Sequence, residues 1–75
     1  MSGEVSTDSI TVTVNGATHT LPSAGTVADL IGSMQLVGKR IAVERNGEIV
    51  PRSRYADVRL ASGDRLEIVG AVGGG

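Results

Sequence analysis

Cysteine, tryptophan and phenylalanine are absent from these 75 residues, and Tyr55 is the only aromatic side chain. Without cysteine there can be no disulfide, thiolate-bound metal, iron–sulfur cluster or Cys-based catalysis. Nor does the sequence then report a redox compartment. The missing aromatics and a formal net charge of −1, with basic residues scattered, argue against a nucleic-acid binder, which would use a basic face and stacking rings. No apolar run approaches the roughly 20 residues of a membrane span. Residues 1–8 lack the basic and apolar regions of a signal peptide, so no membrane partner and a cytoplasmic location are expected. There is no phosphate-binding loop of the G-x-x-x-x-G-K-[ST] type. No Ser-His-Asp set is readable, and Glu44 and Glu48 look like solvated strand positions, so no catalytic residue is assigned.

Hydrophobic residues make up 40% of the chain and charged residues 20%, an ordinary balance for one small globular domain. A domain of this size buries only about 60% of its unfolded surface, so each core contact matters. Residues 1–8 are small, polar and aperiodic and are expected to form a disordered lead-in. The domain is expected to span 9–69, with a flexible tail over 70–75.

Within the domain, period-2 and period-3.6 patterns alternate. Ile10, Val12 and Val14 alternate with Thr11 and Thr13 as a half-buried strand. Asn15-Gly16 comes next, a hairpin signal because both residues tolerate positive φ. A second strand over Ala17–Leu21 stops at Pro22. Thr26 is a good N-cap with Asp29 three residues on. Val27, Leu30, Ile31 and Met34 share one helical face, and Gly38 is the expected C-terminal cap. Ile41 and Val43 open a third strand, Asn46-Gly47 repeats the hairpin signal, and Glu48–Val50 is a short strand ended by Pro51. Residues 52–60 carry no period and read as an irregular loop. Ser62-Gly63-Asp64 marks a turn before a last strand containing Leu66 and Ile68. The predicted order is β-β-α-β-β-loop-β, an α+β domain of two layers with one main helix on a sheet of four to five strands.

The chain then runs Ala71-Val72-Gly73-Gly74-Gly75. If Gly75 is the native terminus, it carries a free α-carboxylate on an unhindered residue. Six residues from Gly70 extend about 20 Å, far enough to enter another protein's site. Glycine has no Cβ and fits a narrow channel. A carboxyl with a pKa of about 3.3–3.7 is an unreactive anion at neutral pH and must be activated. ATP can do this by forming an acyl-adenylate, but this chain shows no ATP site, so an ATP-using partner is implied. On the tail alone, a frayed end is an equal reading.

The stretch Ile41-Ala-Val-Glu-Arg-Asn-Gly-Glu-Ile-Val-Pro-Arg52, with Leu60-Ala-Ser-Gly-Asp-Arg-Leu-Glu-Ile-Val69 and the glycine end, resembles the ThiS family, the sulfur carriers of thiamine biosynthesis. The resemblance covers residues 10–75. It implies a ubiquitin-like β-grasp fold, with a mixed sheet whose first and last strands lie parallel at the centre. It also implies a mechanism. A ubiquitin-activating-like adenylyltransferase would use ATP to adenylate Gly75. Sulfur from a cysteine-derived persulfide, supplied by a donor such as a cysteine desulfurase, would replace AMP and leave a thiocarboxylate. Thiazole synthase would take that sulfur. Gly73 and Gly74 would be the threading stalk, and the chain itself would bind no cofactor. The small subunit of molybdopterin synthase, another ubiquitin-like modifier, and a noncatalytic β-grasp interaction module are the competing readings.

Other residues divide between docking and structure. Val69 is expected to point away from the helix beside Ala42, and with Val72 would suit a docking surface. Arg52 could dock an acidic partner surface or be a solvated loop cation. Tyr55 reads as packing under the long loop. His19, with no second His or Cys nearby, is not read as a metal ligand. Asp64 is expected to fix its turn through its side chain.

Overall fold

The computed structural model describes residues 9–70. The expectations for residues 1–8, Val72, Gly73, Gly74 and Gly75 lie outside them. Five strands form one sheet: β1 (Ser9–Val14), β2 (Ala17–Pro22), β3 (Ile41–Arg45), β4 (Glu48–Val50) and β5 (Arg65–Gly70), in the order β2-β1-β5-β3-β4. β1 and β5 are parallel, with Val14 beside Leu66, and the other pairs are antiparallel. The sheet is therefore mixed, with the first and last strands adjacent at its centre, as the resemblance implied.

Both hairpins turn through Asn-Gly. Asn15 and Gly16 have φ of 52° and 86°, and Asn46 and Gly47 have 52° and 89°. These left-handed values match the twist of the flanking strands, and they suit Asn and Gly.

One helix, α1 (Val27–Ser33), covers one face of the sheet. Its start agrees with the sequence reading. Asp29 N–H donates to Thr26 Oγ1 at 3.2 Å, and Thr26 N–H donates to Asp29 Oδ2 at 3.0 Å, a complete capping box. The aperiodic loop finishes the capping. Val27 N–H donates to the Val58 carbonyl and Ala28 N–H to the Tyr55 carbonyl. Helix donors with no partner in the first turn are thus met by a segment about 30 residues on.

The end of α1 corrects the sequence reading. Met34, not a residue near Gly38, is the C-cap. Gln35 takes the left-handed conformation at φ 61°. Gln35 N–H reaches the Gly32 carbonyl and Leu36 N–H the Ile31 carbonyl, both at 3.0 Å. This is the paired hydrogen bonding of a Schellman motif, with glutamine where glycine is usual. The physical reason lies in Leu36: stopping here turns it back to pack against the core. Gly38, at φ 80°, serves the next turn instead.

Val27, Leu30 and Ile31 of the helix meet Val12, Val14, Leu21, Val43, Val50, Leu60, Leu66 and Ile68 in one core. Leu30, Leu66, Val12, Val14, Val27 and Val43 are almost fully buried. Each such side chain contributes about 1.5–3 kcal/mol through burial. The core lies between α1 and the middle of the sheet, so β5, which leads to the glycine end, is among the most firmly anchored strands.

Candidate functional site at the root of the tail

β5 ends at Gly70, which pairs with Ile41. The strand thus extends through Gly70, the residue expected to open the tail. The glycine end is therefore rooted in the central strand of the sheet, not in a loose edge.

Hairpin asparagines hold this strand from both sides. Asn15 N–H donates to the Leu66 carbonyl at 2.9 Å. Its side chain accepts from Ile68 N–H at 2.8 Å and donates to the Ile68 carbonyl at 2.9 Å. The carboxamide thus mimics a strand residue where β1 has already turned away. On the other side, Asn46 Oδ1 accepts from Arg65 N–H at 2.9 Å. The turn residues therefore serve twice, first shaping a hairpin and then supplying partners for backbone groups of β5.

Asp64, just before β5, is the one buried charged residue among those described, at 7% exposure. It accepts from Arg45 Nε at 2.9 Å, Asn46 Nδ2 at 3.1 Å and Ala61 N–H at 2.8 Å. Burial pushes its carboxyl pKa up. The hydrogen bonds from Ala61, Asn46 and Arg45, with the Arg45 charge, outweigh burial and hold it below the ordinary carboxylate value. Its side chain closes the turn as expected, and it also ties that turn to β3. The Arg45 half of this pair was missed from sequence, because nothing local brings residues 45 and 64 together.

Side chains of β5 alternate between the two faces of the sheet. Leu66 and Ile68 go to the core, while Arg65, Glu67 and Val69 are exposed. Val69 is 57% exposed and pairs across the strands with Ala42, also exposed. On the same face Glu67 stands opposite Glu44, which in turn pairs with the exposed Ile49. The apolar spot expected beside the tail is present there. Arg52 is elsewhere: it starts a single-turn 3₁₀ helix (Arg52–Arg54) on the helix side of the sheet.

Tyr55 is half-buried and packs against the core. His19 is half-buried on β2, opposite Val12. Glu44 is half-buried and Glu48 exposed. No three His, Cys, Asp or Glu side chains cluster as a metal site among the described residues. No helix among them is long and apolar enough to cross a membrane.

Comparison with known proteins settles the family. The ThiS family model matches residues 9–75. This chain belongs to the ThiS family. The sulfur carrier protein ThiS of Bacillus subtilis is 51% identical over 51 residues, covering 68% of this chain and 77% of that protein. A thiazole synthase of Paramagnetospirillum magneticum is 45% identical over 62 residues, covering 83% of this chain. The chain spans only 19% of the length of that relative. The crystal structure of ThiS from Geobacter metallireducens superposes with a TM-score of 0.74 at 28% identity, covering 88% of this chain and all of that one. The β-grasp architecture of the ThiS family is thus the architecture described above.

Proposed function

We infer that this chain is a sulfur carrier of thiamine biosynthesis, and that Gly75 is the residue that carries the sulfur. The observation behind this reading is the family match, which runs from residue 9 through the glycine end at residue 75. The domain then acts as a protein co-substrate and not as a catalyst. A ubiquitin-activating-like adenylyltransferase attacks the α-phosphate of ATP with the Gly75 carboxylate. An acyl-adenylate forms and pyrophosphate leaves. A persulfide sulfur, drawn from cysteine by a desulfurase, adds to the activated carbonyl and AMP departs. A second thiol, on the partner enzyme or a small-molecule reductant, attacks the donor-side sulfur of this acyl disulfide, forming a disulfide with the donor cysteine and expelling the Gly75 thiocarboxylate. Thiazole synthase takes the sulfur for the thiazole ring, and hydrolysis of the acyl group restores the carboxylate.

The geometry suits this role. Gly70 fixes the root of the stalk, and Gly73 and Gly74 offer no side chain to a narrow channel. Val69 and Ala42 present an apolar spot beside that root, where the activating enzyme docks. All the chemistry is cytoplasmic.

Deleting the Gly75 codon in the native host tests the pathway. A thiamine requirement is expected, relieved by supplied thiazole. A molybdenum-cofactor defect without a thiamine requirement would overturn the assignment.

A further inference from the structure

On the helix side of the sheet lies an apolar groove of about 280 Å³. Its walls are Ile31 of α1, Leu36 and Val37 of the following turn, Ile41 at the start of β3, and Tyr55. Val37 is 73% exposed, more than any other large hydrophobic side chain among the described residues. The backbone forces it outward. It lies between Gln35 at φ 61° and Gly38 at φ 80°, with Leu36 turned in to satisfy the helix end.

The groove has a chemical sign. Lys39 and Arg52 line it, and no carboxylate does. Among the described residues the ion pairs are Arg45–Asp64 and Arg54–Asp57, so neither groove cation has an anionic partner there. The groove also has a position. Ile41, one of its walls, pairs with Gly70, the residue from which the tail departs. A protein that encloses residues 71–75 in its own site must close around that point.

We propose that this groove is a docking site for thiazole synthase, which inserts a large apolar side chain flanked by carboxylates. The apolar side chain covers Val37 and Tyr55, and the carboxylates pair with Arg52 and Lys39. The partner choice rests on the carrier reading above. It draws on the fact that a chain named thiazole synthase contains a segment similar to this domain. The surface is separate from the Val69–Ala42 spot, which lies on the opposite face of the sheet. Desolvated charge pairs at the edge of an apolar pocket give specificity and salt dependence.

The test uses the full chain and purified thiazole synthase from the same organism. Arg52→Glu and Val37→Asp are compared with wild type by titration calorimetry at two salt concentrations. Both residues are exposed, so unchanged thermal midpoints are expected. Each variant should weaken binding about 10-fold or more. Arg52→Lys should retain most of the affinity, and Arg52→Glu should lose much of its salt dependence. Adenylation by the activating enzyme should proceed at the wild-type rate. Wild-type affinity for thiazole synthase in both variants would overturn this proposal alone. So would loss of adenylation with thiazole synthase binding intact, because the groove would then serve the other enzyme. A wild-type chain that binds thiazole synthase under no condition would overturn the carrier reading and this proposal with it.

Discussion

The two faces of β5 do different work with alternate residues of one short strand. Inward, Leu66 and Ile68 are buried, and Asp64 in the turn that leads into the strand is buried with its carboxylate fully hydrogen-bonded. Outward, Glu67 opposes Glu44 and Val69 lies open beside Ala42. The inner face is arranged for stability. The outer face tolerates two features that add none, a like-charge pair directly across the strands and an exposed aliphatic side chain. A surface that forgoes stability next to Gly70 fits the docking role proposed for it.

The largest test of this contrast is Leu66→Ala. Leu66 is 1% exposed in a small core, so truncation should cost about 2–5 kcal/mol in urea unfolding. A loss below about 1 kcal/mol would mean that the inner face does not anchor the strand.

Asp64→Asn comes next, at about 1–3 kcal/mol, because the donors on Arg45, Asn46 and Ala61 lose their anionic partner. Its pH dependence has a definite sign. The folded pKa is below the unfolded value of about 3.9, so the native state binds the proton less readily. The stability from this ionisation is fully present above that unfolded value. It is lost as pH falls through the folded one. Stability of the wild type should therefore fall more steeply below about pH 4 than that of Asp64→Asn. Parallel acid profiles would remove the cluster from the account.

On the outer face the expected effects shrink and change sign. Glu67→Lys replaces the repulsion across from Glu44 with an attraction and should stabilise the fold by about 0.2–1 kcal/mol. Clear destabilisation would show that the pair is structurally required. Smallest of all, Val69→Arg should leave stability within about 0.5 kcal/mol of wild type. The same change should reduce adenylation efficiency (kcat/KM) of the activating enzyme about 10-fold. An unaltered adenylation rate would remove Val69 from the docking surface.

Much of the fold was legible in the sequence because its signals are local. Both Asn-Gly turns, the Thr26–Asp29 cap and the alternation in β1, β3 and β5 all rest on neighbours within a few residues. The parallel pairing of β1 with β5 came only through family resemblance, since alternation carries no information about which strands are adjacent. The features that were missed depend on distant segments. Asn15 reaches Ile68 across 53 residues, and Arg45 reaches Asp64 across 19. The helix end is not legible in the sequence, because Gly38 has the residue type of a cap and Gln35 does not. The packing of Leu36 instead places glutamine in a conformation that residue seldom adopts. The apolar spot at Val69 and Ala42 is legible because strand alternation alone puts both side chains on the outer face. The groove beside Val37 did not, because its walls come from the helix, the turn after it, a strand and the long loop.

The most direct measurement is the intact mass of the full chain after incubation with ATP, a sulfur source and the activating enzyme. The account predicts replacement of one carboxylate oxygen by sulfur, located by fragmentation at Gly75 and absent from a chain lacking that residue. An unmodified chain under conditions where a known ThiS is converted by its own activating enzyme, or sulfur found on any other residue, would contradict it.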